Sequence, residues 1–434
     1  MKRYDSYKKC NIPWVDEIPS HWEINIAKRF MKGLKELAGV RHEEYQRLSL
    51  TMDGVKPRAK NDTEGLQTNN FGSYQIIKQN DLVFKLIDLS NFRTSRVGIN
   101  KNGDGIVSPA YIRVEVTKGN PKYFYYYFKK LYYEKIYNNF GSSGVRSSIG
   151  KEELLSFPVI IPDEDEQAKI AVYLDHKTVQ IDALISNKKE MIEALKKYKK
   201  TLITEAVTKG LDKTVQMKDS NIQWIREIPE DWKISKIKRK FFIKKVINKN
   251  PNPTVLSVTQ KGLKIKDLTN NEGQHAESYL AYQEVKPHDF VMNSMDLLTG
   301  FVDCSKYEGV TSPDYRVFVM RDENDCHNYF LYFFQMCYFN KIFYGHGQGI
   351  STSGRWRLQT EVFKNLPLIV PPVDEQNKIS IFLDEKCNSI ENAINELLQQ
   401  IELLNSYRQS IICDAVTGKI DVRNYKESEL EVKM

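Results

Sequence analysis

The 434-residue chain has no apolar run approaching the ~20 residues that a membrane-spanning helix needs. Its first residues, MKRYDSYKKCNIPW, lack the apolar stretch of a secretion signal. Cysteine is scarce and scattered: Cys10, Cys304, Cys326, Cys337, Cys387 and Cys413 form no CxxC pair. That pattern argues against a disulfide framework. The seven histidines do not join the cysteines at zinc-ligand spacing, so no metal site is expected. These absences together lead us to expect a cytoplasmic protein with reduced thiols and no membrane partner.

Catalytic motifs are missing as well. Gly418-Lys419 is followed by Ile420 and has no second Gly five residues before it, so there is no phosphate-binding Walker loop. His346 sits in a GxGxG run that follows a helix, without the strand-to-helix context of a dinucleotide fingerprint. An amino-methyltransferase loop needs Asn or Asp before Pro-Pro-aromatic, but Pro371-Pro372 follows Val370. Glu284-Val285-Lys286 supplies half of a nuclease PD-(D/E)xK motif, and the Pro-Asp pairs at 162 and 313 are misplaced for the other half. No catalytic residue and no cofactor of its own are therefore expected.

The chain does contain a duplication, with a period near 209. Asn11-Ile-Pro-Trp-Val-Asp-Glu-Ile-Pro-Ser-His-Trp22 returns as Asn221-Ile-Gln-Trp-Ile-Arg-Glu-Ile-Pro-Glu-Asp-Trp232. Ser108-Pro-Ala-Tyr111 returns as Ser312-Pro-Asp-Tyr315, and Phe157-Pro-Val-Ile-Ile-Pro162 as Leu366-Pro-Leu-Ile-Val-Pro371. Two long helices follow these strands. In the first, Ile170, Leu174, Ile181, Ile185, Ile192, Leu195 and Leu202 line up with Ile379, Leu383, Ile390, Ile394, Ile401, Leu404 and Ile411 in the second. From Leu174 onward the gaps are those of a coiled-coil seam, which predicts that the two copies pack on each other. Acidic residues open each helix, and Gly210 and Gly418 stand where a left-handed residue closes one. About 45 residues at ~1.5 Å each make a rod on the order of 65 Å long.

Between these landmarks each half reads as a mixed α/β globule. Tyr74–Ile77, Leu82–Leu86 and Ile112–Val116 have the alternation of strands. An aromatic helix follows in each half, Lys122–Asn138 and Asn328–Tyr344, with rings at core spacing. Arg41–Asn100 shows no convincing counterpart in Ile247–Asp303. The segments read as 1–161 (globule), 162–210 (helix), 211–370 (globule), 371–419 (helix) and 420–434 (tail). Basic charge sits in the globules: residues 1–163 carry 26 Lys and Arg against 18 Asp and Glu, whereas 373–419 carry 4 against 8. That suits a polyanion for the globules and a protein partner for the helices.

The most suggestive loops follow the aromatic helices. Phe140-Gly-Ser-Ser-Gly-Val-Arg146-Ser-Ser-Ile-Gly-Lys151 is answered by Gly345-His-Gly-Gln-Gly-Ile-Ser-Thr-Ser-Gly-Arg355-Trp-Arg357. Gly/Ser turns offer backbone N–H groups to phosphate oxygens, and Arg can bind a phosphate or a guanine with two hydrogen bonds. The alternative is a solvated loop whose Arg pairs with a neighbouring acid.

The sequence resembles the specificity subunit of type I restriction–modification systems. The resemblance rests on the paired Trp motifs, on Val107-Ser-Pro-Ala-Tyr111 with Thr311-Ser-Pro-Asp-Tyr315, and above all on Pro162-Asp-Glu-Asp-Glu-Gln167-Ala-Lys-Ile170 with Pro371-Pro-Val-Asp-Glu-Gln376-Asn-Lys-Ile379. It covers nearly the whole chain, twice over. It implies an α+β protein with two mixed α/β target-recognition domains separated by two long antiparallel coiled-coil helices, related by an approximate twofold axis. It implies double-stranded DNA and two methyltransferase (modification) subunits as partners, with restriction/translocase subunits as optional additions. Those partners would use S-adenosylmethionine, and ATP with Mg2+ for restriction. Candidate DNA contacts are Arg58, Lys60, Arg93, Arg96, Ser143, Arg146 and Ser147 in the first half. In the second they are Lys261, Lys264, His346, Gln348, Ser351, Arg355 and Arg357. The seam residues named above are candidates for inter-helix packing or subunit docking. A coiled-coil adaptor whose globules bind proteins is the rival reading, and steep salt dependence of binding would tell DNA contact from apolar protein contact.

Overall fold

The computed structural model describes residues 2–52, 54–59, 62, 70–89, 96–140, 148–268, 276, 278–349 and 356–426. They form two compact units, Met1–Lys188 with Leu398–Met434 and Lys189–Leu397. Each unit combines one globule with half of each long helix, so the units cut across the linear segments drawn from the sequence. Residues 420–426 pack on the first unit: the Asp421 N–H donates to Lys2 O at 2.9 Å, and Tyr425 meets Tyr173 edge-on at 4.9 Å.

In the first unit the main sheet has the order Met31–Leu34, Ile112–Val116, Leu82–Phe84, Val97–Ile99, with each pair antiparallel. A smaller sheet runs Gly54–Pro57, Gln46–Thr51, Gly105–Val107, Gln75–Ile77, and its pairing of Gly105 with Gln46 is parallel. The second unit repeats the main sheet as Phe241–Lys244, Arg316–Met320, Phe290–Met292 and Val302–Cys304. It repeats the smaller one as the pairs Leu256–Thr259 with Gly262–Ile265 and Gln283–Val285 with Gly309–Thr311. A parallel bridge between Val255 and Val310 stands where the parallel pairing of the first unit stands. Arg41–Asn100 therefore does have a counterpart, contrary to the sequence reading. Buried strands need only apolar side chains of fitting size, so topology persists after identity is lost.

A buried ion pair shows how far the two halves have drifted. Asp81, buried in the first unit, accepts from Arg113 Nε at 2.7 Å. Asp289 holds the matching place in the second, but its cation is Lys244 from a neighbouring strand.

The aromatic helices α1 (Pro121–Tyr133) and α3 (His327–Phe339) lie against the main sheets. Phe124, Phe128, Leu131, Phe330, Phe334 and Cys337 are all at most 2% exposed, so these rings are core and not a stacking platform for bases. Phe84 and Phe128 meet edge-on at 5.1 Å. Both helices end earlier than their aromatic runs, because Lys135 (φ 57°) and Lys341 (φ 58°) turn left-handed.

The long helices, α2 (Glu164–Lys209) and α4 (Val373–Val416), begin at the motif that carries the family resemblance. Its Glu and Gln work as a clamp in both units. Glu166 accepts from Trp22 Nε1 at 2.8 Å and Tyr4 OH at 2.6 Å, and Glu375 accepts from Trp232 Nε1 at 2.8 Å. Gln167 accepts from the Asn120 N–H at 2.9 Å and donates to Pro162 O at 2.9 Å, tying α2 to the first residue before α1. Gln376 does the same with the Cys326 N–H and Pro371 O, at 2.9 and 3.0 Å. A second tie joins Tyr126 OH to Asp175 at 2.8 Å and Tyr332 OH to Asp384 at 2.6 Å. Gly210 and Gly418 (φ 74° in each) close the helices against Trp232 and Trp22, where an added Cβ would lie 3.2 and 3.1 Å from the indole. Gln167→Ala or Gln376→Ala leaves a buried N–H and C=O unpaired, and is expected to cost about 1–3 kcal/mol each. Denaturant titration measures this, and an unchanged midpoint would count against the clamp.

Candidate nucleic-acid interface

The second unit describes most of the loop that follows its aromatic helix. Gln348–Gly349 and Trp356–Arg357 pair as a short antiparallel hairpin, with Gln348 opposite Arg357. Trp356 anchors it: the indole stacks on Tyr344 at 5.2 Å and donates to Tyr344 O at 2.8 Å. The glycines on the facing strand are steric requirements, since a Cβ on Gly347 or Gly349 would come within 2.5 or 2.3 Å of the Trp356 ring. Leu358, fully buried, donates its N–H to Ser294 O at 3.0 Å.

Arg316 holds the hairpin base from below. It is 6% exposed, donates from Nη2 to Leu358 O at 2.8 Å and lies 4.7 Å over the Phe363 ring. Burial, with a smaller contribution from Arg357, lowers its pKa to about 10. Above that base His346, Gln348 and Arg357 are exposed, with Gln359 Nε2 donating to Gln348 Oε1 at 2.7 Å. The structure therefore brings these three second-half candidates to one edge. Lys261 and Lys264 are exposed on a different feature, the Leu256–Ile265 hairpin. Ser351 and Arg355 lie outside the described residues, as do Lys60, Arg93, Ser143, Arg146 and Ser147.

Two first-half candidates are placed. Arg58 sits beside Asp62, its Nε 2.7 Å from the carboxylate, which raises its pKa and gives any phosphate a competitor. Arg96 does not belong to the interface: it is 1% exposed, and its guanidinium donates to Lys85 O, Ile87 O and Asp88 O at 3.3, 3.1 and 2.8 Å. It braces a turn of the main chain, and burial lowers its pKa. A lone Arg in a run of polar residues gave no sign of that burial. Arg96→Ala is expected to destabilise the first unit by about 1–3 kcal/mol, since three carbonyls lose a charged donor. A melting curve unchanged from the parent would contradict this.

The seam residues are packed inside the chain. Ile170, Leu174, Ile181 and Ile185 share the core of the first unit with Ile411. Ile379 and Leu383 share that of the second with Ile203 and Val207. Ile192, Ile390 and Ile394 are buried, and Leu195, Leu202, Ile401 and Leu404 are half-buried. The buried ones serve packing within each unit. Polar ties run alongside: Arg408 to Asp182 and Lys188 to Gln400 (2.6 Å) in the first unit, and Lys199 to Glu391 (2.7 Å) in the second.

The Ser-Pro-x-Tyr motifs also prove structural. Gln75, 2% exposed, donates to Tyr111 O at 2.7 Å, and Gln283, 5% exposed, donates to Tyr315 O at 2.8 Å. The matched glutamines escaped the sequence comparison because each lies in a diverged segment. Sequence reasoning also passed over Lys28-Arg29 and Lys238-Arg239, an exposed basic pair retained at the same repeat position. Alignment at an offset of 210, that of Trp22 and Trp232, would have found it.

A family model described as the type I restriction modification DNA specificity domain matches residues 32–196 and 229–402. The chain belongs to this family. The function class is thereby set: recognition of DNA targets for a type I restriction–modification system. Two relatives in Methanocaldococcus jannaschii match over nearly their full lengths. The putative type I restriction enzyme MjaX specificity subunit is 20% identical over 440 residues, covering 96% of this chain and 97% of that protein. The type I restriction enzyme MjaVIII specificity subunit is 24% identical over 438 residues, covering 94% and 95%. A solved structure from work on complex assembly and conformational transition of the type I R-M system shares the fold. It has a TM-score of 0.66 at 9% identity, covering 93% of this chain and 99% of that one. In this specificity-family member no helix is long and apolar enough to cross a membrane, among the described residues.

Proposed function

We propose that each globule reads one half of a split, asymmetric DNA target, and that α2 and α4, paired as an antiparallel coiled coil, set the unread spacer between the halves. The observation that carries this is the repetition of a two-sheet globule on a common clamp, with the halves diverged in the residues the scaffold carries. Two sites of one kind with different side chains suit a bipartite target, and the approximate twofold relation implied by the duplication suits one continuous duplex. The candidates Arg58, Lys261, Lys264, His346, Gln348 and Arg357, with Lys60, Arg93, Ser143, Arg146, Ser147, Ser351 and Arg355, are the proposed pool of base and phosphate contacts.

The chain acts without catalysis of its own. S-adenosylmethionine, and ATP with Mg2+ for restriction, belong to its partners. Two modification subunits would dock on apolar residues that the helices leave exposed, such as Val172, Val179, Leu184, Ile381, Leu403 and Tyr407. A restriction subunit is a further partner of the same assembly. The rival adaptor reading finds no support in the family, whose description is DNA specificity.

Methylated-site sequencing from cells carrying this chain with its modification subunit tests the proposal. Modified adenines should fall in one split motif with a fixed gap. A continuous motif, or none, would refute it. Arg357→Ala should weaken DNA binding by about 1–3 kcal/mol and relax one base position if the guanidinium reads a base edge. A loss equal on every sequence would assign it to phosphate.

A further inference from the structure

One place in the repeated scaffold is filled in the first unit and open in the second. In the first, Trp14, Phe140 and Phe157 pack together, with centroids at 5.6 Å (Trp14–Phe140), 6.3 Å (Trp14–Phe157) and 5.3 Å (Phe140–Phe157). Ile26 lies on the adjoining strand, opposite Pro158. The matched residues of the second unit are Trp224, His346, Leu366 and Lys236, the last opposite Pro367. Two rings and an isoleucine have thus given way to an imidazole, a smaller aliphatic chain and an ammonium. Trp224 packs against Phe333, at 6.2 Å.

Beside Trp224 lies an open groove of about 570 Å3, walled by Trp224, Lys236, Arg239 and His346, with Asn365 and Gln223 as neutral hydrogen-bonding groups. Among the described residues no carboxylate lines it. Lys236 and Arg239 are exposed, and neither enters an ion pair among the described residues. Cations gathered in a concave wall without counter-charge focus a positive potential there. His346 also belongs to the edge that carries Gln348 and Arg357, so the groove continues directly from that edge.

We propose that this groove binds a phosphodiester of the DNA backbone beside the bases read by the second globule. Lys236 and Arg239 supply the charge, and His346 and Asn365 donate to the phosphate oxygens. At the matched place of the first globule, among the described residues, Phe140 and Phe157 pack on Trp14 where the second has His346 and Leu366. At this place the backbone grip then differs between the half-sites. The inference rests on the DNA-reading function proposed above.

The test uses the full chain with its modification subunits and two duplexes, one carrying the methylated motif and one scrambled. Binding constants are measured across a salt series for the parent, for Lys236→Ala with Arg239→Ala, and for His346→Phe. The last keeps the fold, since Phe is the residue of the first unit, and refills the groove. For the double variant the slope of log K against log salt should shrink by about 0.9, the value for one phosphate no longer neutralised. His346→Phe should weaken both duplexes by the same factor, while the methylated motif stays the same. A steep parental slope that both variants leave unchanged would overturn the groove alone. So would a loss confined to the duplex that carries the motif, because phosphate contacts carry no sequence information. A parental slope near zero would refute the DNA-reading proposal, and the groove with it.

Discussion

Replacing residues 31–116 with the matching segment of a relative is expected to change one half of the methylated motif and leave the other half untouched. The boundaries come from the sheet order. Both sheets of the first globule lie within 31–116, from Met31–Leu34 to Ile112–Val116, so no strand is parted from its hydrogen-bonded neighbours. A narrower exchange of Arg41–Asn100 would move Leu82–Phe84 with Val97–Ile99 while leaving behind Ile112–Val116, the other partner of Leu82–Phe84. The clamp stays with the recipient, because Trp22, Asn120, Glu166 and Gln167 all lie outside the segment. The new contacts include those with α1, where rings such as Phe124 and Phe128 must accept a foreign sheet face, and those with Ile149 and Lys151. Cores tolerate such swaps when volume is kept, at a cost in stability and not in topology. Sequencing of methylated sites from the chimera measures the outcome. If both halves of the motif changed, the globules would not be independent readers.

The same relation between the halves explains how much could be read from the sequence. The duplication, the long helices and their seam were legible because a heptad tolerates few residue types and helix termini need acids and glycine. The motifs at Trp22, Tyr111 and Gln167 were visible as repeats, but their work was not. Only the structure shows that Gln167 and Gln376 tie helix to helix, and that Gln75 and Gln283 clamp the Ser-Pro-x-Tyr turns. Strands such as Gln75–Ile77 and Gln283–Val285 hid their kinship, since a buried strand constrains size and polarity more than identity. Site residues were the least legible. Arg96 and Arg357 are both arginines beside an apolar residue, yet one is a buried brace and the other is exposed on a hairpin. Charge alone does not separate these roles, because it does not say which way a side chain faces.

The spacer is expected to respond to the length of the helices. A four-residue insertion between Lys188 and Lys189 adds about 6 Å along the helix and turns its C-terminal half by about 40° beyond a full turn. The place suits a change because this layer is partly polar: Lys188 Nζ reaches Gln400 Oε1 at 2.6 Å. Two base-reading globules on a rigid support can engage one duplex only where their separation matches the helical repeat. The distance added is between one and two base-pair rises of about 3.4 Å.

The central claim, that α2 and α4 measure the gap between two independently read half-sites, is tested most directly by sequencing methylated DNA from cells that carry this insertion variant with the modification subunit. Both half-motifs should persist, and the unread spacer should lengthen by one or two base pairs. An active variant that keeps the original spacer would show that the globules are flexibly tethered, and would contradict the claim.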